Sequence, residues 1–388
     1  MTAENQSDDR SIHFQDNVDR SVIVPGDGNT VTYTTNVFSV VGVEKIPSEH
    51  SHTLSKQEYR WRQVLVDNVK HYWIEGVLEK SLHNQALIEL GLEERIHAIA
   101  SPLSGVQEFL NKTGRTFPEG TQATNIFDAL GAGRTLLILG EPGAGKTTTL
   151  LKLAQSLISR MGDDLSQPIP VILNLSSWAK KRQPISEWLV QELYETFQAS
   201  KSLGKTWIKE EQLTLCLDGL DEVAAQHRNA CVRSLNQFIQ DHGRTEVVVC
   251  SRIADYEALS ERLRLKSAIY VQPLTVNQID QYLERAGEQL TGLKTVLNQN
   301  AEVKAFAFSP LILSVMSLAY QNLSLAEIPH EGNVETFRQR LFDTYIERMY
   351  ERRGTRNRFQ HSRAKQGLVR IAQKIKKASQ TVFSSVRM

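Results

Sequence analysis

The stretch Thr135-Leu136-Leu137-Ile138-Leu139-Gly140-Glu141-Pro142-Gly143-Ala144-Gly145-Lys146-Thr147 decides how the rest of the chain is read. Residues 140–147 fit G-x-x-x-x-G-K-[ST] without a mismatch, an apolar run enters them, and an amphipathic stretch carrying Leu150, Leu153, Ala154 and Leu157 leaves them. Strand, glycine-rich turn and helix in that order make a phosphate cradle. The glycines let backbone N–H groups curl around phosphate oxygens without a Cβ in the way, and the helix N-terminus adds partial positive charge. This predicts that Gly140, Glu141, Pro142, Gly143, Ala144, Gly145, Lys146, Thr147 and Thr148 contact a bound nucleotide. Lys146 should reach the β- and γ-phosphates, and Thr147 should place its hydroxyl on Mg2+.

A second apolar run, Leu213-Thr214-Leu215-Cys216-Leu217, ends in Asp218, seventy-two residues after Lys146. A carboxylate at the end of a buried strand opposite the loop is where the Mg2+ shell takes an oxygen ligand, so Thr147 and Asp218 are the predicted metal pair. Gly219 and Leu220 follow, then Asp221 and Glu222. One of these two acids can orient the attacking water and the other can ion-pair within the site. Residue type alone does not separate them, and Glu222 is the favoured base. The next run, Val247-Val248-Val249-Cys250, leads into Ser251-Arg252. If that strand stands in the row holding the loop and Asp218, Arg252 reaches a γ-phosphate and reports its presence. Asp221, Glu222 and Arg252 are thus the candidate catalytic residues.

Outward from these motifs, strands are predicted at 135–139, 171–175, 213–217, 247–250 and 268–271, with helices around 146–160, 184–199, 225–241 and 255–263. Strands so uniformly apolar belong to a parallel five-stranded sheet covered by helices on both faces, an α/β nucleoside-triphosphatase core. After Pro273 the pattern is helical to the end. Before the core, Ser21-Val22-Ile23-Val24 and Thr30-Val31-Thr32-Tyr33 flank Pro25-Gly26-Asp27-Gly28-Asn29, which is hairpin chemistry. Residues 54–90 read as helix, with Val64, Leu65, Val69, Tyr72, Trp73, Val77, Leu78 and Leu82 on one face and Gly91 as its stop. The aromatics Trp61, Tyr72 and Trp73 are read as core packing. A second short helix is expected over 92–100, and a glycine-rich linker over 103–133. The predicted organisation is a β-rich segment over 1–50 that either self-associates or docks on the main body, a helical region and linker over 51–122, the nucleotide-binding domain over 123–273, a helical domain over 274–335, and a further helical region over 336–388.

Composition narrows the class. The 388 residues are 40% hydrophobic and 23% charged, which excludes wholesale disorder and disulfide-stapled scaffolds. The formal net charge is +1, so the total asks for neither nucleic acid nor membrane. Its distribution is uneven: residues 338–388 hold fourteen bases and three acids. Three cysteines give no disulfide framework or zinc spacing. No secretory leader or spanning run is legible, and a cytoplasmic protein is expected.

Among phosphate-loop classes, a Ras-type GTPase needs N-K-x-D, but the Asn111-Lys112 pair is followed by Thr113-Gly114 and precedes the loop. An ABC-type signature lies between the loop and the strand-end aspartate, whereas the similar Leu103-Ser104-Gly105-Val106-Gln107 precedes both. A small-metabolite kinase leaves the helical third unexplained. The sequence instead resembles the NACHT family of STAND NTPases, a branch of the AAA+-like fold. The resemblance rests on Asp218-Gly219-Leu220-Asp221-Glu222, with a tiny residue after the aspartate and an acidic pair two positions on. It rests also on Arg252 as sensor 1 and on Ala307-Phe308-Ser309-Pro310-Leu311-Ile312-Leu313 as the helical-domain proline motif. It implies that Pro310 packs on adenine, that ATP or ADP binds with Mg2+, and that hydrolysis is slow. It also implies nucleotide-dependent homo-oligomerisation, a protein or ligand trigger, and a bacterial defence or stress-sensing role. The segment 341–349 resembles the lead-in to a winged-helix part, which in the family is complete and followed by a repeat sensor. Here 336–388 would hold only its first helices, and His361 is left without a role. A rival reading takes the basic 338–388 stretch as a DNA contact gated by the NTPase; solvated arginines on a helical surface account for the same charges.

Overall fold

The described residues of this computed structural model are 56–80, 88–100, 115–162, 164, 166–328, 334–352 and 365–374. They contain six strands: β1 (Leu92–Glu94), β2 (Thr135–Gly140), β3 (Ile169–Asn174), β4 (Leu213–Asp218), β5 (Glu246–Arg252) and β6 (Ser267–Val271). These form one sheet in the order β1-β6-β2-β5-β4-β3. The five strands from β2 to β6 are mutually parallel, as the apolar runs predict. Every residue of β2, from Thr135 to Gly140, is buried, which a strand achieves only with helices on both faces.

The sixth strand corrects the helix expected over 92–100. Leu92–Glu94 pairs antiparallel with β6, Leu92 opposite Val271, and a one-turn helix follows at Ile96–Ala98. An edge strand such as β6 leaves a row of N–H and C=O groups unpaired, and these three residues fill it despite their helical composition. Gly91 is consequently a point of close approach and not a helix stop. Gln272 N donates to its carbonyl at 2.9 Å, and a Cβ there would lie 2.8 Å from the Gln272 side-chain oxygen.

Helix α1 (Lys56–Val69) passes directly into a π-helical segment, Lys70–Leu78, so the helix expected to reach Leu90 stops at Leu78 within the described residues. The chain divides into two compact units, 1–60 and 61–388; of the first, residues 56–60 are described, as the opening of α1. From Trp61 on, the buried face is Arg62, Leu65, Val66, Val69, Trp73, Ile74 and Leu78. Leu65, Val69, Trp73 and Leu78 stand where the periodicity puts them. Trp61, Val64 and Tyr72 do not, being 40%, 47% and 41% exposed: Trp61 and Val64 lie on α1 away from its buried face of Arg62, Leu65, Val66 and Val69, and Tyr72 stands just before the buried Trp73 and Ile74 of the π segment. The predicted hairpin at 21–33 and the rest of 1–50 lie outside the described residues, as do His361 and 375–388.

The remaining helices are α2 (Ala123–Asp128), α3 (Lys146–Met161), α4 (Ile185–Phe197), α5 (Lys201–Lys209), α6 (Ala225–Asp241), α7 (Ile253–Glu257), α8 (Val276–Ala286), α9 (Thr291–Gln299), α10 (Ala301–Ala307), α11 (Pro310–Tyr320) and α12 (Val334–Arg352). Three depart from expectation. Helix α2 interrupts the predicted linker, and Asp128 at its end accepts from Arg134 and Arg160, each at 2.6 Å. The Arg160 hydrogen bond holds the Asp128 carboxyl below the usual carboxylate range, and the pair ties the lead into β2 onto α3. The helix predicted over 184–199 is followed by a second, α5, because Gln198 turns left-handed at φ 58° and Ser200 caps a new start with its side chain on Leu203 N. Helix α7 ends at Glu257, short of the predicted 263.

After β6 the described residues are helical, and Ile279, Leu283, Leu293, Val296, Leu313, Met316 and Tyr320 from α8, α9 and α11 share one buried cluster. No single helix among the described residues is long and apolar enough to cross a membrane. The most apolar pair, Ala301–Ala307 and Pro310–Tyr320, is bent by 111°. Cys216, Cys231 and Cys250 are buried free thiols.

Candidate nucleotide-binding site

All the predicted site residues of the sheet lie at its C-terminal edge, where open α/β sheets bind ligands. Strand β2 delivers Gly140 to that edge, residues 141–145 turn back over it, and α3 begins at Lys146. Two residues of the turn need positive φ, Gly143 at 75° and Gly145 at 96°, which is why side chains other than hydrogen are excluded there. Lys146 Nζ folds over the loop and donates to the carbonyls of Gly140 (3.1 Å) and Glu141 (2.9 Å). Burial lowers the Lys146 pKa, and the carboxylates of Asp221 and Asp218 oppose that shift.

One residue further on, Thr147 Oγ1 donates to Asp218 Oδ2 at 2.8 Å. Asp218 ends β4, two strands from the loop's own strand, and its other oxygen accepts from Gly219 N at 3.0 Å. Burial pushes its carboxyl pKa up, with the Thr147 hydrogen bond pulling the other way. A 7%-exposed carboxylate beside a threonine hydroxyl is a donor set suited to a hard divalent ion such as Mg2+, which takes one or two carboxylates and oxygen ligands.

Gly219 turns the backbone at φ 75°, and a Cβ on it would stand 2.7 Å from Glu222 Cδ and 3.0 Å from Asn174 Nδ2. The left-handed backbone and the close Glu222 carboxylate thus both disfavour a Cβ after the aspartate. Gly219→Ala should cost ~1–2 kcal/mol from the left-handed backbone alone and displace Glu222 as well. Calorimetric melting together with ATP turnover checks this, and parental values of both would contradict it.

The two neighbouring acids, equivalent in the sequence, are separated by their partners. Asp221, its side chain 9% exposed, holds Arg252 twice: Oδ2 accepts from Nε at 2.9 Å and Oδ1 from the backbone N at 3.2 Å. Glu222 Oε2 accepts from Asn174 Nδ2 at 2.8 Å, and the Asn174 amide is itself oriented by Ser176 N donating to its oxygen at 2.8 Å. Arg252 is the last residue of β5, in register with Gly140, and β5 lies between β2 and β4. The strand row on which the arginine's reach depends is therefore present.

From the helical region, α11 opens with Pro310 at its first position. The residues on either side of it meet the phosphate loop: Leu311 N donates to the Gly143 carbonyl at 3.3 Å, and Ser309 Oγ does so at 3.5 Å. A Cβ on Gly143 would sit 2.9 Å from that hydroxyl.

The sequence of the region with this geometry, residues 134–289, matches the family model of the NACHT domain. Residues 134–289 form a NACHT domain. This is a nucleotide-binding, phosphate-loop NTPase domain. No curated protein matches the sequence. Among solved structures it is similar to C. elegans PCH-2, at 14% identity and TM-score 0.30, over 57% of this chain and 63% of that one. It is similar also to a signal transduction ATPase with numerous domains (STAND) with a tetratricopeptide repeat sensor from Pyrococcus horikoshii, at 11% identity and TM-score 0.31, over 65% of this chain and 34% of that one. The protein thus spans less than two thirds of either neighbour's length.

The NACHT domain brings Lys146, Thr147, Asp218, Asp221, Glu222 and Arg252 to one edge, and the helical segment that follows the domain adds Ser309, Pro310 and Leu311 beside Gly143. Glu141 and Pro142 are exposed at the loop's outer rim, Ala144 is buried, and Thr148 is half-buried in the first turn of α3. Sequence reading missed Asn174. It ends the run Ile169-Pro170-Val171-Ile172-Leu173 and pairs in register with Asp218, so a polar residue closing an apolar strand was the available signal. It missed Ser309 and Leu311 as loop contacts, and it missed Arg228, which stands behind the acidic turn.

Proposed function

We propose that this protein is an ATP-dependent signalling switch whose nucleotide sits between an α/β nucleotide-binding domain, over 123–273, and the helical domain, over 274–335, with 336–388 as the start of a winged-helix region. The observation carrying the reading is the 2.8 Å bond from Thr147 to Asp218, which places a loop hydroxyl and a strand-end carboxylate together at the mouth of the phosphate cradle. Lys146 leaves its two carbonyls for the β- and γ-phosphates, and the backbone N–H groups of 143–147 take phosphate oxygens. Thr147 and Asp218 hold Mg2+, which neutralises charge on the phosphates when bound. Glu222 takes the proton of the attacking water, its carboxylate held by Asn174, while Asp221 is committed to Arg252. Arg252, whose side chain is 41% exposed, turns its free guanidinium edge to the γ-phosphate. Contact of Ser309 and Leu311 with Gly143 supports transmission of nucleotide state to the helical domain. ADP holds a closed state, ATP permits homo-oligomerisation, turnover is slow, and the trigger is a protein or ligand sensed in the cytoplasm, in the manner of bacterial defence proteins of this family.

Arg252→Ala tests the switch. It should weaken ATP binding ~10–100-fold, the range for losing a hydrogen bond to a charged group, with ADP affinity nearly unchanged. The ATP-dependent change in particle size should vanish with it. Titration calorimetry with ATP, GTP and ADP, with and without Mg2+, and light scattering on the same samples provide the measurements. Equal loss of ATP and ADP would make Arg252 a structural partner of Asp221.

A further inference from the structure

Behind the acidic turn stands an arginine that neither the motifs nor the proposed chemistry uses. Arg228, in the first turns of α6, donates from Nε to the Val223 carbonyl at 2.8 Å, from Nη2 to the Asp221 carbonyl at 2.5 Å, and from Nη1 to Asp255 Oδ1 at 2.6 Å. The first two acceptors are the carbonyls on either side of Glu222. One planar guanidinium therefore grips both flanks of the one-turn helix Leu220–Glu222 that presents the carboxylate. The third acceptor belongs to α7, three residues beyond Arg252, on the segment that leaves β5. The same side chain thereby fixes the distance between the turn bearing Asp221 and Glu222 and the strand end bearing Arg252, in parallel with the Asp221–Arg252 pair itself.

We propose that Arg228 is a positioning residue for hydrolysis: it holds the Glu222 turn in register with the Arg252 strand end, and so sets where the water-activating carboxylate stands relative to the γ-phosphate. The inference rests on the reading of Glu222 as the base. Its physical ground is the fork geometry. Three donors on a rigid plane reach three acceptors on two separate segments, whereas a lysine ammonium at the end of a flexible stem cannot span them with the same fixed angles. Positioning errors near 1 Å cost on the order of 100-fold in rate while leaving phosphate contacts intact.

The experiment is steady-state ATP hydrolysis with parallel ADP and ATP binding on the whole protein, for Arg228→Lys, Asp255→Asn and Glu222→Gln. Arg228→Lys should lower kcat ~10–100-fold, with KM and both affinities within about threefold of the parent. Asp255→Asn retains both carbonyl grips and should keep kcat within about fivefold, since a neutral acceptor replaces the carboxylate while the guanidinium donor stays charged. Loss of nucleotide binding in step with hydrolysis in Arg228→Lys, including through failure to fold, would overturn the proposal by making the arginine a general structural support. Unchanged kcat in Arg228→Lys beside an inactive Glu222→Gln would overturn it while leaving the base assignment standing. Full hydrolysis in Glu222→Gln would remove the base assignment itself, and the positioning proposal with it.

Discussion

Glu222→Gln should bind ATP with nearly parental affinity and hydrolyse it at least ~100-fold more slowly, the lower range for removing a positioned general base. The substitution keeps the side chain's length and one oxygen, so Asn174 Nδ2, now 2.8 Å from Glu222 Oε2, still finds an acceptor. It removes the only feature a neutral amide cannot supply, a carboxylate able to take a proton from water. Affinity should survive because the phosphate contacts come from other elements: the loop amides, Lys146, and the Thr147–Asp218 pair. Asp221→Asn offers the contrasting outcome. Asp221 is tied to Arg252 by both side-chain oxygens, and an amide keeps one acceptor while weakening the ion pair. Its expected effect is a partial loss confined to ATP. Single-turnover hydrolysis and ATP binding on both variants separate the roles, and full turnover in Glu222→Gln with its loss in Asp221→Asn would transfer the water-activating role to Asp221.

What was legible in the sequence follows from how local each feature is. The phosphate loop, Asp218 and the five parallel strands are local: residue types at fixed spacing, flanked by the apolar runs they require. Their strand bounds shift by only a residue or two. What escaped depends on strand order or on a tertiary neighbour. Leu92–Glu94 has a helical composition and becomes a strand because β6 offers it an open edge. The π segment at Lys70–Leu78 gives no compositional signal, and Tyr72 within it is exposed. Asn174 acquires its place only because β3 lies beside β4, which sets it opposite Asp218. Arg228 reads as one of two arginines on α6; its role is visible only when the carbonyls of Asp221 and Val223 and the Asp255 carboxylate are seen around it. The choice between Asp221 and Glu222 is of the same kind. Sequence leaves the two acids open, and the partners supply the argument.

Lys146→Ala and Thr147→Ala should fail in different ways. In Lys146→Ala, ATP and ADP affinity should fall together by ~100-fold or more, since the lost ammonium makes charge-assisted hydrogen bonds worth ~1.5–3 kcal/mol each to phosphate oxygens shared by both nucleotides. The lysine's present bonds to the Gly140 and Glu141 carbonyls offset little of that loss. They hold the ammonium over the loop, and moving it to phosphate exchanges neutral acceptors for charged ones. Mg2+ should make no difference to the deficit. Thr147→Ala removes the hydroxyl that donates to Asp218 Oδ2 and leaves that buried carboxylate with Gly219 N as its remaining described hydrogen bond. Burial pushes the Asp218 carboxyl pKa up, while the Thr147 hydrogen bond, the Lys146 ammonium and the Gly219 N–H lower it. Metal occupancy should weaken through the missing oxygen ligand. The expected result is ATP affinity reduced ~10-fold with Mg2+ present, the size of one lost charge-assisted contact, and parental affinity in chelator. Calorimetry of both variants with ATP and ADP, with Mg2+ and with chelator, makes the comparison. Parental affinity in both variants under every condition would mean that nucleotide does not bind at this loop.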